Sequence, residues 1–447
     1  MCPKLKMHAY QHDLKALQGL FQNGQVHRDA YISPQIFQLE QERLFARSWL
    51  YVGHESQIPL PGDYMTANLA GSPVMMLRDT DGSVRVLINR CAHKGARIVS
   101  EGSGNAGRVL RCPYHAWTYK LDGELMAVPL KAGYEGTGFQ SSPAAAGLSA
   151  PSGVEVYRGF VFARLAPGPS FKDYFGQVLQ ALDNMADRSP LGKLQAAGSC
   201  VRSVIRCNWK FYLENINDTV HPISTHESAS ASARKVGAEF AESIPTAMEQ
   251  LLPFGAGYDF YAKMGARTLP NGHSVLGTAF SIHTDYADVP GYKEALEQAH
   301  GVERTAQILA YSPQNVVFYP TLAVKGSPQI LRILRPLAAD LTQLEVWAFQ
   351  PVGAPDLLLE RGLTYSRLVF SPMSVVAHDD VHLFESQQKA LAAAGNPWVN
   401  LQRQFSPSEN AGEVHDFDDG NNELVIRNQY RAWLNMMTAW HDETGAL

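Results

Sequence analysis

The chain has 447 residues, of which 45% are hydrophobic, and its formal net charge at pH 7 is −5. This length predicts two or three domains with cores large enough to fold without a structural metal. The weak negative charge argues against a nucleic-acid partner, and the lack of any apolar run near the ~18 residues of a membrane span argues against a membrane protein.

The first part of the chain changes from helical to strand patterns near residue 49. Its N-terminus lacks the apolar core of a signal peptide, which predicts a cytoplasmic protein. Residues 9–23 and 34–48 have helical periodicity, whereas the stretch up to residue 165 contains short β-rich runs. Asp-Gly pairs at 81–82 and 122–123 lie between such runs and indicate hairpins. This stretch is therefore predicted to be a small all-β domain.

The second part of the chain mixes helices with strands. Residues 306–353 predict an antiparallel meander of three or four strands. The stretch 227–305 has no clear pattern, and we expect loops over a pocket there. Helices are predicted over residues 166–185, 356–370, 373–393 and 421–440.

The five cysteines do not indicate a disulfide framework, because their number is small and odd for a long chain. Cys200 and Cys207 lie in or beside a strand pattern, and we interpret both as buried reduced thiols. No disulfide is therefore expected to support the fold.

Two further cysteines each stand near a histidine, in the pairs Cys91-x-His93 and Cys112-x2-His115, with eighteen residues between the pairs. Chance placement of core residues would rarely give two such tight pairs. A structural zinc site also uses cysteine and histidine, but it usually groups like ligands together. A mixed pair on each of two loops suits a Rieske [2Fe–2S] cluster, in which two cysteines hold one iron and two histidines the other.

A second group of candidate ligands lies in the stretch "NWKFYLENINDTVHPISTH", which contains Glu214, Asp218, His221 and His226. Asp218 and His221 are three residues apart and are predicted to share the last turn of a helix. Pro222 would end that helix, because proline disfavours helical geometry in the preceding residue, and the chain could then bring His226 to His221. Two histidines and one carboxylate are the ligand set of non-haem Fe(II) oxygenases.

The carboxylate must come from elsewhere, and the helix predicted over residues 373–393 offers two adjacent acids. Asp380 has apolar neighbours at i−4, i−3, i+3 and i+4. An unpaired carboxylate on such a face is costly, which makes Asp380 the preferred ligand. Asp379 is the alternative, since His382 is among its neighbours. Taken alone, these acids and histidines would be ordinary residues of a helix surface.

The motifs "CAHKGA" and "CPYHAWTY" resemble the Rieske domain of bacterial ring-hydroxylating oxygenases, in their large (alpha) subunit. Lys94 replaces the family's usual arginine, and the spacer is slightly longer than common, but neither departure touches a ligand. The family's Asn-Trp-Lys, Glu-Asn and D-x2-H-x4-H elements follow between Asn208 and His226, with Val220 where an aromatic residue is common. The resemblance covers nearly the whole chain.

This resemblance implies cofactors and partners. A Rieske [2Fe–2S] cluster would be held by Cys91, His93, Cys112 and His115. A mononuclear non-haem Fe(II) would be held by His221, His226 and Asp380. Asp218 would bridge by hydrogen bonds from His221 to His115 of the partner subunit. Electrons would come from NAD(P)H through a reductase or ferredoxin, and the chain would form a homotrimer or an α3β3 assembly with a small beta subunit.

The implied fold class is α+β. An all-β Rieske domain is expected over residues 46–165, and a catalytic mononuclear-iron domain over residues 166–447. The latter would have an antiparallel sheet covered by helices in a helix-grip-like arrangement. Residues 1–45 would form N-terminal helices that pack on the catalytic domain.

The expected function is that of a terminal oxygenase, which uses O2 and these electrons to hydroxylate an aromatic substrate, with dioxygenation favoured. Three alternatives stay open. The first is a Rieske monooxygenase that acts on a side chain, methyl or amine group. The second is a Rieske electron-transfer protein without oxygen chemistry, and the third is a zinc-stabilised binding protein.

Aromatic acids are among the candidate substrates, and an acid would need a cation in the pocket. Cationic candidates are Arg332, Arg335, Arg234 and Lys235, each of which we interpret first as a surface or ion-pairing residue. Pocket walls are expected from residues 205–235, 240–300, 305–350 and 373–390.

Overall fold

The computed structural model describes residues 9–139, 146–240, 244–282, 288–371, 374–409 and 413–439. The chain forms two compact units. The smaller unit is Phe45–Phe171, and the larger unit combines the chain up to Leu44 with the chain from Lys172 onward. Within the described ranges, no helix has the length and apolar character needed to cross a membrane.

The smaller unit is built from antiparallel strands, as predicted. A four-stranded sheet has the order Val84–Ile88, Ser72–Arg78, Asp63–Leu69 and Ser103–Asn105. One three-stranded sheet has the order Gly153–Tyr157, Phe160–Arg164 and Leu50–His54, and another the order Leu125–Ala127, Thr118–Tyr119 and Leu110–Arg111. Short 3₁₀ turns occupy Glu55–Gln57 and Lys131–Tyr134.

Both predicted Asp-Gly hairpins are confirmed. Around residues 81–82 the flanking strands pair with Arg78 opposite Val84, and the strands flanking residues 122–123 also pair antiparallel. The glycines of the two pairs have φ angles of +85° and +93°. Glycine reaches this left-handed region without the steric cost that a side chain would add, which explains why it follows aspartate in both turns.

The core of the smaller unit surrounds the two cysteines of the predicted cluster. Cys91 and Cys112 belong to one set of buried side chains that also contains Tyr64, Met75, Leu77, Leu87, Ile98, Leu110, Trp117, Tyr119, Leu121, Ala146 and Leu148. The loops that contain Cys91 and Cys112 therefore lie against the hydrophobic core, and both cysteines have apolar surroundings.

The larger unit is organised around one eight-stranded antiparallel sheet. The predicted meander is confirmed as four strands: β1 (Asn315–Phe318), β2 (Leu322–Lys325), β3 (Ile330–Ala338) and β4 (Leu341–Pro351). The order across the sheet is Leu194–Ile205, β4, β3, β2, β1, Ser274–Leu276, Ala266–Thr268 and His415–Phe417.

Four helices of the larger unit matter for the site: α1 (Trp209–Ile216), α2 (His221–Thr225), α3 (Asp356–Phe370) and α4 (Val375–Ala392). Helix α1 packs against β1 and β3, while α3 packs against β4 and α4. The sequence predictions for α3 and α4 are confirmed to within two residues, and the α+β class is confirmed.

The other elements of the larger unit complete its helical layer. Helices occupy Ala9–His12, Leu14–Gln18, Asp29–Ile32, Pro34–Glu40, Phe171–Phe175, Gln180–Asp187, Glu227–Ala238, Thr246–Leu251, Tyr258–Ala262, Tyr292–His300, Val302–Ala310 and Leu424–Thr438. A π-helix occupies Gln41–Phe45, and 3₁₀ turns occupy Gly176–Leu179, Leu252–Gly255 and Pro270–Gly272. A small sheet joins Phe21–Gln22, Gln25–His27 and Trp398–Asn400.

Some sequence expectations about helices and cysteines differ from this structure. The helix predicted over residues 9–23 ends at Gln18, because a hairpin turn at Asn23 follows, where φ is +51°. The stretch 227–305 is largely helical and stranded where it is described, since packing overrode its weak pattern. Cys207 is buried as expected, but Cys200 is partly exposed, and both are free. The parts of the predicted segments that fall on residues 1–8, 140–145, 241–243, 283–287, 372–373, 410–412 and 440–447 lie outside the described residues.

Candidate metal centres

The first candidate centre is built from two backbone turns of the smaller unit. The Cys91 N–H donates to the Ala96 carbonyl at 2.8 Å, and the Cys112 N–H donates to the Trp117 carbonyl at 2.8 Å. Each turn therefore closes on its cysteine and carries a histidine two or three residues further along the chain. The structure brings these two turns together.

The four side chains at these turns form a buried pair of thiols beside a pair of imidazoles. Cys91 is 2% exposed and Cys112 is 3% exposed. The ring centroids of His93 and His115 are 4.7 Å apart. The Nδ1 atoms of both rings are buried and have no hydrogen-bond partner among the described residues. A buried nitrogen without a partner is costly, so both Nδ1 atoms are well suited to bind a metal.

Two aromatic residues hold the turns against each other. The Tyr119 hydroxyl lies 3.2 Å from the Cys91 Sγ and accepts the Ala92 N–H at 3.2 Å. The Trp117 ring stacks on His93, with centroids 4.9 Å apart and an interplanar angle of 1°. Hydrogen bonds to cysteine sulfur change the reduction potential of a bound iron–sulfur cluster, so Tyr119 would influence the potential of a cluster held at Cys91.

The spacing of this first centre does not fit a single zinc ion. Among the described residues, only His221, His226 and Asp380 bring three metal-binding atoms within 4.8 Å of one another. Four ligands of one tetrahedral zinc would lie about 3.4–3.8 Å apart, given Zn–S and Zn–N bonds of ~2.3 and ~2.1 Å. Two thiolates and two imidazoles at wider spacing fit a two-iron cluster.

The second centre begins where α1 ends, and the predicted position of that end is wrong. Helix α1 ends at Ile216, so Asp218 and His221 do not share a helical turn. The Asp218 carboxylate accepts the Val220 N–H at 2.7 Å, a local bond that competes with the helix. Pro222 lies in the first turn of α2, where its missing N–H costs nothing, and it therefore begins a helix and does not end one.

Two helices bring the three candidate iron ligands together. The rings of His221 and His226, at the two ends of α2, have centroids 5.5 Å apart. Ser374 caps α4, with its Oγ accepting the Ala377 N–H at 3.0 Å, and α4 then presents Asp380. The Asp380 Oδ1 lies 3.7 Å from His221 Nε2 and 3.4 Å from His226 Nε2. This is a compact group of two imidazoles and one carboxylate.

The two acids of α4 have different positions. Asp379, the alternative ligand, places its Oδ2 at 3.5 Å from Nδ1 of His226, the nitrogen opposite the one that faces Asp380. The apolar face predicted around Asp380 is only half correct, because Val376 is buried whereas Leu383 is 41% exposed. A carboxylate at the second nitrogen of a histidine fixes which nitrogen carries the proton.

Asn215 is a site residue to which the sequence assigned no role. Its Nδ2 lies 3.0 Å from His221 Nε2 and donates to Asp380 Oδ1 at 3.1 Å. The amide therefore touches two of the three candidate ligands. The Glu-Asn pair was the available sequence signal, but only the end of α1 shows that the asparagine points to the site.

Asp218 lies on the other side of His221. Its Oδ2 is 3.8 Å from His221 Nδ1, and its Oδ1 is 3.9 Å from Arg403 Nη2. The His221 Nδ1 is buried and has no hydrogen-bond partner among the described residues. With 30% of its side chain exposed, Asp218 faces both His221 and solvent.

The two histidines have opposite electrostatic surroundings. Burial lowers the pKa of His221, against the opposing effect of Asp380 and Asp218. Burial also acts to lower the pKa of His226, but Asp380 and Asp379 outweigh it, and the net pKa is raised. A metal ion needs the neutral imidazole, so metal binding at this group competes with protons.

Helix α1 is anchored by a buried polar network, which gives the Asn-Trp-Lys motif a structural role. Lys210 forms an ion pair with Glu40, and both side chains are almost completely buried. The indole N–H groups of Trp209 and Trp433 donate to Glu40 at 3.0 and 2.7 Å. These side chains are hydrogen-bonded or ion-paired to one another, and this network fixes the position of the start of α1.

Glu214, the other acid of the motif, points away from the metal group. It accepts hydrogen bonds from the hydroxyls of Tyr31 and Tyr430. Burial raises its pKa to about 7, against the lowering effect of these two hydrogen bonds. Glu214 therefore supports the position of α1 and does not bind the metal.

A cavity of about 70 Å³ adjoins the metal group. An engineered cavity that holds benzene measures about 150 Å³, so an aromatic ring enters this one only when lining side chains move apart. Helix α3 contributes Tyr365, Val369 and Phe370 to the wall, although the predicted pocket segments did not include it. A larger cavity of about 490 Å³ contains none of the candidate ligands, and its Arg267 is paired with Asp416.

Of the four cations considered for an acidic ligand, only Arg332 lies in the wall of the cavity. Arg234 and Lys235 are exposed, and Arg335 pairs with Glu345 at 3.6 Å, as interpreted. That interpretation is wrong for Arg332, which is 5% exposed and forms no ion pair with any described residue. Its strand is covered on both faces, which the sequence pattern did not reveal.

Comparisons with known proteins match both units. Residues 48–142 match the Rieske [2Fe-2S] domain, and residues 191–439 match the ring hydroxylating alpha subunit (catalytic domain). The benzene 1,2-dioxygenase subunit alpha of Pseudomonas putida is 30% identical, over 93% of this chain and 92% of that protein. The anthranilate 1,2-dioxygenase large subunit of Acinetobacter baylyi is 29% identical, over 87% and 83%. A structure of naphthalene 1,2-dioxygenase from Rhodococcus sp. has the same fold, with a TM-score of 0.76 and 23% identity over 98% of this chain and 99% of that chain.

Proposed function

Since the chain belongs to the family of Rieske ring-hydroxylating oxygenase alpha subunits, we propose that it is the terminal oxygenase component that hydroxylates an aromatic substrate. The chain is a Rieske non-haem iron oxygenase, with a [2Fe–2S] cluster and mononuclear iron as cofactors. The observation that carries the proposal is the group of His221, His226 and Asp380, which lies beside a cavity lined by aromatic side chains.

We assign the two cofactors to the residues predicted from the sequence. The cluster is assigned to Cys91, His93, Cys112 and His115, and the mononuclear iron to His221, His226 and Asp380. The Nδ1 atoms of His93 and His115, which have no hydrogen-bond partner in the part of the chain that the structure describes, support the first assignment. The mutual distances of the other three side chains support the second. When bound, the cluster supplies electrons and the Fe(II) supplies the open positions at which O2 is activated.

The residues around the second centre orient its ligands. Asp379 faces Nδ1 of His226 at 3.5 Å, which favours a proton on that nitrogen and leaves the Nε2 lone pair free. Asn215 donates to Asp380 and holds its carboxylate toward the histidines. Asp218 faces Nδ1 of His221 at 3.8 Å, as Asp379 faces Nδ1 of His226. Each ligand atom is thereby aimed at one point before any metal binds.

The cavity walls would position the substrate ring and keep water away from it. Phe254, Tyr365 and Phe370 provide aromatic surface in the wall. Aromatic pairs with centroids about 4.5–7 Å apart attract one another in edge-on or offset geometry. A substrate ring held in this way would present one edge to the metal ligands.

The electron supply and assembly are also proposals. The chain would receive electrons from NAD(P)H through a reductase, a ferredoxin or both, and would work as a homotrimer or with a small beta subunit as α3β3. In such an assembly Asp218, which is partly exposed, would join His221 to the partner subunit's His115. The domains would be residues 46–165 for the cluster and 166–447 for the iron, with residues 1–45 packed on the latter, in a cytoplasmic protein.

Substrate-dependent O2 uptake tests this proposal. The purified chain, loaded with iron and supplied with NADH and a surrogate reductase and ferredoxin, is assayed over aromatic acids, hydrocarbons and amines. We expect uptake with at least one aromatic compound, together with an oxygenated product. Asp380→Ala is the matched control, which should keep the cluster spectrum and lose uptake. A protein that accepts electrons yet oxidises none of these compounds would be an electron carrier and would contradict the proposal.

A further inference from the structure

We propose that Arg332 binds the carboxylate of an aromatic acid and so makes such acids the preferred substrates. The proposal rests on the proposed oxygenase function and adds the substrate class. Arg332 lies on β3 and shares the cavity wall with His221, His226 and Asp380. Arg332 has no role in the metal binding described above.

The guanidinium of Arg332 is buried without a negative partner. The side chain is 5% exposed, and among the described residues no carboxylate forms an ion pair with it. Its Nη2 donates to the Asn315 side-chain oxygen at 2.5 Å, and its charge lies 4.9 Å from the centre of the Phe370 ring. The Nε is buried and has no hydrogen-bond partner among the described residues. These neutral contacts leave the positive charge uncompensated.

A charge in this position needs an anion. Burying an ion without a partner is costly, and arginine does not escape the cost by losing its proton. The edge of the guanidinium matches a carboxylate in two parallel hydrogen bonds. One donor at that edge, the Nε–H, is unused here. A planar carboxylate in the cavity would neutralise the positive charge of Arg332 and accept a hydrogen bond from its Nε–H.

A second buried cation lies on the same face of the sheet. Ala323 on β2 is opposite Arg332, and Lys325 is two residues further along β2, so its side chain points to the same face. Lys325 is 2% exposed and donates to the Gln314 carbonyl at 2.9 Å, and no described residue forms an ion pair with it. Burial and the neighbouring Arg332 hold the pKa of Lys325 well below its usual range. The lowered pKa of Lys325 disfavours a second positive charge beside Arg332, so Arg332 is the cation that this face of the sheet presents to the cavity.

Arg335 shows what an arginine with a partner looks like on the same strand. It is three residues from Arg332, which places it on the opposite face of β3, and it pairs with Glu345. Arg335 is thus neutralised by an acid, whereas the contacts of Arg332 beside the cavity are with the neutral side chains of Asn315 and Phe370. This contrast separates a ligand-binding cation from an ordinary buried ion pair.

Binding to the holoenzyme tests the proposal with three probes. Benzoate carries ring and carboxylate, benzamide has nearly the same shape without the charge, and acetate has the carboxylate without the ring. By calorimetry, we expect wild type to bind benzoate more tightly than either of the other probes. Arg332→Met should weaken benzoate binding about 100-fold, as expected when one partner of a buried charge pair is removed, with benzamide binding nearly unchanged.

Two variants separate recognition from damage to the fold. Arg332→Lys keeps the charge but loses the two-pronged geometry, and it should bind benzoate with an affinity between those of wild type and Arg332→Met. Arg335→Met removes a buried arginine from the opposite face and should leave the ratio of benzoate to benzamide affinity as in wild type. The cluster spectrum and iron content confirm that each variant is loaded.

The binding data overturn the proposal if wild type binds benzoate and benzamide equally, or if Arg332→Met weakens both to the same extent. They are independent of turnover. Arg332-dependent benzoate binding in a protein that consumes no O2 would support the carboxylate site and reject the oxygenase function. O2 uptake with neutral aromatics alone, and no preference for benzoate, would support the oxygenase function and reject the site.

Discussion

At the scale of single residues, Asp218 is the side chain on which the proposed path between subunits depends. Its carboxylate lies 3.8 Å from the buried Nδ1 of His221, which has no hydrogen-bond partner among the described residues, and 30% of the Asp218 side chain is exposed. One carboxylate can therefore contact a metal-binding histidine on one side and a group from outside the chain on the other. An amide in its place would keep the shape and lose the charge.

We predict that Asp218→Asn keeps both metal centres and lowers substrate hydroxylation about 100-fold, because a carboxylate partner of a metal-binding histidine is lost. Iron content, the cluster spectrum and product formation are measured together. Glu227→Gln removes an exposed acid from the same segment and serves as the control. Turnover near that of wild type in Asp218→Asn would refute the bridging role.

The candidate ligands could be predicted from the sequence because metals require particular residue types at restricted spacings. The position of Arg332 in the cavity wall could not be predicted from the sequence. Alternation along β3 separates Arg332 from Arg335, but both faces of that strand are covered, and the pattern does not tell which face adjoins the cavity. The choice between Asp379 and Asp380 depends on how α4 is rotated toward His226, which tertiary packing decides.

At the scale of elements, His273 ties the strand Ser274–Leu276 to two neighbouring segments. Its Nδ1 accepts the Tyr319 N–H at 2.9 Å, and its Nε2 lies 2.9 Å from the Tyr174 carbonyl. Burial lowers the pKa of His273 to about 4. The folded chain therefore holds this histidine neutral at pH values where an unfolded histidine is protonated.

The sign of the pH dependence follows from this pKa. Below pH ~6.5 the unfolded state binds a proton that the folded state refuses until about pH 4, so stability falls as the pH falls through this window. We predict that His273 accounts for a loss of about 2 kcal/mol between pH 7 and pH 5. Urea unfolding of wild type and His273→Gln at both pH values measures it, since glutamine can replace both hydrogen bonds. Equal losses in the two proteins would contradict the assignment.

The elements were predicted best where periodicity was long and uninterrupted. Helices α3 and α4 combine clear patterns with turn residues at their ends, and both were placed almost correctly. The end of α1 was misplaced because two signals conflict there. Pro222 predicts the end of a helix, whereas the Asp218 side chain already closes the turn before it. Such local hydrogen bonds depend on side-chain rotamers that a sequence pattern does not specify.

At the scale of the whole molecule, the proposed assembly predicts that two inactive variants complement each other. Cys112→Ser removes an assigned ligand of the cluster, and Asp380→Ala removes an assigned ligand of the iron, so each protein alone should be inactive. Hybrid assemblies from co-expression, purified through two different tags, should regain part of the hydroxylation activity, because a cluster in one chain can serve the iron in the next. Hybrids as inactive as their parents would show that electrons stay within one chain.

We propose that one chain carries both an electron-transfer centre and a separate oxygen-activating iron. The number of iron atoms per chain in the fully loaded protein distinguishes this arrangement from a chain that holds the cluster alone. We predict about three iron atoms per chain for wild type, two in the cluster and one mononuclear, and about two for Asp380→Ala with an unchanged cluster spectrum. About two iron atoms in wild type, with no further loss in Asp380→Ala, would contradict the claim and leave an electron-transfer protein.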